Sequence, residues 1–284
     1  MHLDDIKKHW EKLAKEFGTD LMATTKNQTI KRLEIDTIYR AIKKTPFYNN
    51  DGYYKVLEVG CGNGYNCFLL SELLPTFHFT GIDYVSRMIE NAKKIKSDNL
   101  TKYQQTTFQT GDILDLENNR SIDDTYHIVF TDRCIINLNT MDAQLKAADQ
   151  LSKKVEQNGY LLILENFKQS YERQQDCRIA AGLSKRVPDA YNLFIDGAVF
   201  IPHVKKSMDL ICVDDFGSLH DLLLYILLPM IHNGNIMYNH PLVQAVADFS
   251  INLAKKNKYD TNFGSFGQNR LLIFHKTARN KTTS

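Results

Sequence analysis

The chain has 284 residues, 43% hydrophobic and 24% charged, with 35 basic against 33 acidic side chains and a formal net charge of +2. That length can bury a full core as one large domain, and the near balance of charge gives no electrostatic reason to expect nucleic acid or a membrane surface as partner. The five cysteines (61, 67, 134, 177 and 212) are scattered without a CxxC pair, so they read as reduced thiols, and no metal-ligand set is visible. Asp4 and Asp5 sit in a polar start with no apolar run, unlike a secretory signal. The longest apolar stretch, Leu222 to Ile231, is too short to span a bilayer and contains Pro229. A soluble, cytoplasmic protein is expected, monomeric or homodimeric.

In chain order, Ile6, Trp10, Leu13, Ala14 and Phe17 recur at helical spacing, and Gly18 ends that helix. A second helix carries Ile30, Leu33, Ile38 and Ile42 and ends before Thr45-Pro46. Asn49-Asn50-Asp51-Gly52 then turns the chain into a strand over 54–59. Alternation follows: helix 65–74, strand 78–82, helix 86–96, strand 106–110, strand 126–131, helix 142–156 and, after Gly159, strand 159–165. Such an order predicts a parallel sheet covered on both faces. Beyond it lie a helix near 171–183, a loop holding Pro188 and Pro202, an apolar stretch at 208–213, and helices over 218–231 and 241–256. Leu271 to His275 is the last strand, and the tail from Thr277 is short, polar and expected to fray.

The segment Val56-Leu57-Glu58-Val59-Gly60-Cys61-Gly62-Asn63-Gly64 is the most informative. An apolar strand breaks into glycines that permit sharp turning and close ligand approach, and a helix N-terminus follows to receive polar ligand atoms. A dinucleotide turn needs G-x-G-x-x-G, and the third spacing here is wrong for it. The pattern E-x-G-x-G-x-G, with Asp83 about 20 residues on and Thr110-Gly111-Asp112-Ile113 after the third strand, resembles class I S-adenosylmethionine-dependent methyltransferases. The resemblance covers residues 54–165 and implies an α/β, Rossmann-like, seven-stranded sheet with the last strand antiparallel, N-terminal helices, and a helical insertion at 218–256. It divides one domain into an N-terminal helical cap (1–45), a cofactor-binding core (46–166) and an acceptor-side half (167–277).

The cofactor implied is S-adenosyl-L-methionine. Asp83 would accept the ribose hydroxyls, while Asp112 and Ile113 would meet the adenine. Glu58, Gly60, Cys61, Gly62 and Asn63 form the turn, with Tyr84, Met88 and Thr131 beside it. Each acid has a plainer reading: Asp83 as a helix cap, Asp112 as a turn closer, Glu58 as a buried structural carboxylate.

The fourth strand runs into Thr131-Asp132-Arg133-Cys134-Ile135-Ile136-Asn137-Leu138. It lacks the Pro-Pro-aromatic and Pro-Cys signatures of enzymes that methylate nucleic-acid bases. Together with Gln144, Gly159, Glu165, Arg178, Gly182 and Leu183, it resembles a bacterial subgroup of small-molecule methyltransferases, often in surface-glycan or sugar-related pathways. Glu156-Gln157-Asn158-Gly159 departs from that subgroup's usual Lys-Pro-Gly. The N-terminal block around Trp10, Gly18 and Thr24-Thr25-Lys26 resembles it too, and places Trp10 and Lys26 at the cofactor.

The expected reaction is methyl transfer to oxygen of a small polar acceptor, with nitrogen as the near alternative and a non-catalytic S-adenosylmethionine-binding partner subunit as the reading from another class. Arg133 can pair with an acceptor carboxylate or phosphate and touch the cofactor, or can be spent in an internal ion pair with Glu165 or Asp132. Asn137 either orients substrate or caps the next helix, and Asn192 lies in a long loop of the kind that lines active sites. Glu165 and His203 are candidate general bases, though a histidine beside a proline in a loop, as His203 is, is more often a surface histidine. The 218–256 insertion is a helical pair packed on the core, a substrate lid, or a dimer contact.

Overall fold

The computed structural model describes residues 1–256 and 263–277; most of the tail expected to fray lies outside the described residues. Seven strands form one sheet in the order β3-β2-β1-β4-β5-β7-β6. These are β1 (Tyr54–Val59), β2 (Phe77–Asp83), β3 (Thr106–Thr110), β4 (Tyr126–Asp132), β5 (Val155–Asn166), β6 (Asp209–Asp214) and β7 (Asn269–His275). Strands β1 to β5 pair in parallel, and β7 runs antiparallel to both β5 and β6. The expected Rossmann-like sheet with a reversed last strand is what the chain forms.

The central strands are apolar on both sides because helices cover both faces. Val56 of β1 packs into one buried cluster and its neighbour Leu57 into the other, and Leu271 and Leu272 of β7 divide the same way. The first face is covered by α2 (Gln28–Lys43), α3 (Tyr65–Leu73), α4 (Ser86–Asp98) and α10 (Pro241–Lys255). The second is covered by α5 (Met141–Lys154) and α7 (Gly197–Val204). Ile38 and Ile42 of α2 are wholly buried, so this helix of the expected cap is a core element. By contrast α1 (Leu3–Phe17) rests on a small separate cluster in which Trp10 and Phe17 meet Val85 and Met88.

Three local expectations need correction. Val155 and Glu156, read as the end of a helix, open β5, where Val155 pairs with Tyr126 before a register shift. Asn158 adopts φ +65° at that irregularity, so Gly159 lies within the strand and not before it. Pro202 and His203, read as loop, lie inside α7. The helix expected near 171–183 is α6 (Lys168–Ala180). The insertion before β7 is helical as expected: α8 (Ser218–Leu222) passes through a π-helical turn (Leu223–Leu227) into α9 (Leu228–Ile231), and α10 follows. No helix among the described residues is long and apolar enough to cross a membrane.

The chain runs outward from β1 through β2 to β3, then crosses back to β4. Strand order therefore reverses between β1 and β4, the position where open α/β sheets leave a crevice at their carboxyl ends. Because β7 is reversed, its first residue Asn269 reaches the same edge and pairs with Asn166 at the end of β5.

Candidate active site

A cavity of about 880 Å³ opens along that edge. This is near the upper end of the roughly 300–1,000 Å³ usual for small-molecule sites, enough for two ligands side by side. Of the sequence-expected residues, Trp10, Lys26, Glu58, Gly60, Cys61, Gly62, Asp83, Tyr84, Met88, Asp112, Ile113, Arg133, Asn137 and Asn192 line it.

The turn after β1 needs its glycines for contact as well as for conformation. Gly60 (φ +79°) and Gly62 (φ +55°) lie in the left-handed region. A Cβ on Gly60 would stand 2.3 Å from Cys134 Sγ, and one on Gly62 would stand 2.5 Å from Thr24 Cγ2. The bare backbone thus lets the end of β4 and the segment before α2 close around the turn.

At the end of β2, the Asp83 carboxylate accepts from Gly62 N and Val85 N, both at 2.9 Å. Burial pushes Asp83 up to about 6 although both N–H groups and Lys7 favour the ion. Its helix-entry role and its cavity role coexist, since each carboxylate oxygen keeps a lone pair for a hydroxyl donor. Asp112 likewise closes a short turn by accepting from Leu114 N at 2.8 Å while it lines the cavity. Glu58 is nine-tenths or more buried and ties β1 to α3, accepting from Asn66 Nδ2 (2.7 Å) and Cys67 Sγ (3.0 Å). Burial raises it to about 7.

A buried charge lattice extends from Glu58 across the sheet edge. Asn66 Nδ2 also donates to Asp132 Oδ2 at 3.0 Å, and Lys31 Nζ bonds that same oxygen. Lys31 lies 2.8 Å from Glu34 Oε2, and Arg133 Nε lies 2.9 Å from Glu34 Oε1. Asn269 Nδ2 donates to Glu34 Oε1 at 3.0 Å. Burial alone would lower Lys31, but Asp132 and Glu34 reverse it and hold the ammonium charged; burial opposes the Asp132 carboxylate, and Lys31 and Arg133 override it. Arg133 is therefore an internal ion-pair member whose partners are Glu34 and Asp132 and not Glu165, although it also borders the cavity. Lys31 and Glu34 escape sequence reasoning because an i, i+3 pair on a helix reads as a solvated face.

Four expected residues do not line the cavity. Asn63 points toward the N-terminal segment and donates to Asp20 O at 2.9 Å and Gly18 O at 3.4 Å. Thr131 is fully buried within β4. Glu165 is fully buried and accepts from the backbone N–H groups of Cys134 (2.9 Å), Ile135 (2.8 Å) and Ile136 (3.3 Å), fixing the turn after β4. Burial raises it to about 8 even against those three donors. Its oxygens face the backbone of that turn and not the cavity. His203 sits on α7 with Nε2 2.8 Å from Asp149, away from the cavity, which matches its surface reading. Asn137 donates to Arg133 O at 2.9 Å, bracing the turn from within the cavity wall.

The remaining wall is aromatic and polar. His9 and Trp10 of α1 pack on Tyr191, with ring centres 4.5 and 5.5 Å away. Arg186, Tyr225, Tyr238, Gln268 and Asn269 also line it; Tyr225 and Tyr238 belong to the 218–256 insertion, and the other three have no signal in the sequence.

Residues 50–193 match the model of the methyltransferase-domain family. The chain belongs to that family. A malonyl-[acyl-carrier protein] O-methyltransferase of Priestia megaterium is 28% identical over 159 residues, 55% of this chain and 49% of that protein, so the chain spans about half the length of this curated relative. The fold is shared with magnesium protoporphyrin IX methyltransferase of Synechocystis PCC 6803 with bound S-adenosylhomocysteine (TM-score 0.54, 13% identity, 87% of this chain and 84% of that one). It is shared too with the N-methyltransferase NodS of Bradyrhizobium japonicum in complex with S-adenosylhomocysteine (TM-score 0.53, 11% identity, 96% and 99% covered). The chain thus carries a methyltransferase domain, and the cofactor that its glycine turn and strand-end acids resemble a site for is S-adenosylmethionine. The site suits that cofactor: the glycine turn has no room for side chains, and buried Asp83 gains acceptance sites for a vicinal diol.

Proposed function

We propose that this methyltransferase moves a methyl group to an oxygen of a small polar acceptor, such as a sugar, nucleotide sugar or phosphorylated metabolite. The observation that carries the reading is the composition of the cavity wall beyond the glycine turn. Arg186, Tyr191, Asn192, Tyr225, Tyr238 and Gln268 line it, a mixture of aromatic faces and hydrogen-bonding groups suited to a compact polar molecule. The relation to an enzyme named as an O-methyltransferase supports oxygen as the acceptor atom.

The cofactor supplies an electrophilic methyl on sulfur. The chain's own residues bind and orient. Asp83 receives the ribose hydroxyls, Asp112 and Ile113 meet the base, and Gly60 to Gly62 let the backbone approach closely. Trp10 and Lys26 close the cavity from the N-terminal side. Arg133, Asn137 and Glu165 fix the turn after β4, holding the acceptor side in register with the donor side, and alignment of this kind can supply a large part of the rate enhancement in a displacement. With Glu165 and His203 outside the cavity, the acceptor oxygen enters already ionised or gives its proton to water.

The test is incubation with methyl-labelled S-adenosylmethionine and a fractionated small-molecule extract, with the labelled product identified by mass spectrometry and NMR. Label on oxygen of a small polar product is the expected result. Label on nitrogen, or on protein or RNA alone, overturns the reading.

A further inference from the structure

Arg186 and Arg133 both border the cavity, yet their surroundings differ in kind. Arg133 is neutralised by Glu34 and Asp132. Arg186 has no carboxylate within ion-pair distance among the described residues, and every group holding its side chain is neutral. Its guanidinium lies 3.6 Å from the centre of the Tyr225 ring and 5.3 Å from that of Tyr171. Nη1 donates to Gln174 Oε1 at 3.2 Å and Nη2 to Gln268 Oε1 at 2.7 Å. Its backbone is fixed as well, with N donating to Gln175 Oε1 (2.7 Å) and O accepting from Tyr171 Oη (2.6 Å).

A second guanidinium stands behind the first. Arg178 is 2% exposed, donates to Ser184 O at 2.7 Å and to Tyr225 O, and likewise has no acidic partner among the described residues. The neighbouring positive charge of Arg186 adds to burial in lowering it. The acids near this wall make no direct ion pair with Arg186, and Asp221 lies behind the two glutamines that hold it. Asp221 meets His220 Nδ1 at 2.9 Å and accepts from Gln174 Nε2 (2.9 Å) and Gln268 N (2.8 Å), while Asp189 accepts from Tyr191 Oη at 3.0 Å.

A purely structural arginine in a protein wall is ordinarily offset by a carboxylate, because uncompensated charge at low dielectric is costly. Here the guanidinium is oriented by amides and ring faces that leave its charge intact. That is a preorganised receptor for a planar or tetrahedral oxyanion.

We propose that Arg186 anchors an oxyanion subsite of the acceptor half, receiving a carboxylate or phosphate carried by the methyl acceptor. The inference rests on the small-polar-acceptor reading above and narrows it to acceptors that bear a negative group. Arg178 supports the site through its charge and its hold on Tyr225.

The experiment uses the full chain saturated with S-adenosylhomocysteine, titrated with inorganic phosphate and, separately, malonate by calorimetry at fixed ionic strength. One of the two should bind, phosphate alone indicating a phosphorylated acceptor and malonate alone a carboxylate one. Arg186→Gln should weaken that binding at least tenfold while leaving S-adenosylhomocysteine affinity within twofold, and Arg186→Lys should recover part of it. If the variants do not fold, phenylglyoxal modification of wild-type Arg186, mapped by mass spectrometry, should be slowed by the bound anion. The proposal is overturned if neither anion binds, if Arg186→Gln binds it like wild type, if modification is unprotected, or if cofactor affinity falls in parallel. Failure of the wild-type chain to bind S-adenosylhomocysteine would instead remove the basis of the proposed reaction.

Discussion

Replacing Asp83 by Asn separates the binding role of this residue from its structural one. In the folded protein without cofactor, burial lifts the carboxyl from 3.8 to about 6. At about 1.4 kcal/mol for each tenfold in proton affinity, the ionised group costs the fold about 3 kcal/mol at neutral pH. The sign follows from proton binding. Between pH 4 and 6 the folded chain holds this proton more tightly than the unfolded chain, so the group's contribution favours folding in acid and is lost as pH rises through that range. Asparagine removes this penalty but turns an amide NH₂ toward one of Gly62 N and Val85 N, a loss of about 1–3 kcal/mol. The two terms nearly cancel, and the melting temperature should move by no more than about 5 °C. Cofactor binding has no such compensation. Two charge-assisted hydrogen bonds of about 1.5–3 kcal/mol each give way to one neutral bond, a loss of roughly a hundredfold or more in affinity. Calorimetry with S-adenosylhomocysteine at pH 8 should show this fall. Wild-type affinity should also decline about tenfold per pH unit below about 6, a limb absent from the variant. An affinity within threefold of wild type at pH 8, or an acid limb that persists in the variant, would refute the reasoning.

Glu165→Gln places an NH₂ among three backbone donors but removes the burial penalty that raises this carboxyl to about 8, so, as at Asp83, the two effects offset and the melting temperature at neutral pH should move by no more than about 5 °C. Whatever activity remains should keep the wild-type pH–rate profile; a vanished basic limb would make Glu165 a proton carrier after all. Arg133→Ala leaves Glu34 and Asp132 with the charge of Lys31 and the amides of Asn269 and Asn66, and should destabilise by about 3–5 kcal/mol in denaturant titration, with Arg133→Lys recovering part. An unchanged unfolding midpoint would show the lattice to be energetically idle. His203→Ala breaks only an outer pair with Asp149, so steady-state kinetics should match wild type, and a tenfold fall in kcat would bring α7 into the site.

The alternating half of the chain was readable because parallel strands between two helical layers are apolar on both faces and end in glycine or polar turns, as Val56 to Gly64 illustrates. The errors arise where long-range pairing overrides local preference. Val155 and Glu156 continue a helical pattern, but Tyr126 recruits Val155 into the sheet. Proline beside His203 signals a break, yet α7 carries it. The acids expected at the cofactor reach the cavity because each stands at or near a strand end beside the glycine turn. The acceptor side was not legible, because Arg186 acquires its meaning from Tyr171, Gln174, Tyr225 and Gln268, which lie on three separate segments. Nothing local marks Glu165 as an acceptor for three backbone N–H groups.

The charge lattice of Lys31, Glu34, Asn66, Asp132, Arg133 and Asn269 draws on α2, α3, the β4 turn and β7, four places far apart in the chain. A change in any one of these places therefore disturbs the other three. A chimera that exchanges the first 45 residues with those of another methyltransferase imports a new pair of charges opposite old partners. Such hybrids should fold only when positions 132, 133 and 269 are exchanged with them, which makes this set a unit of recombination for the scaffold.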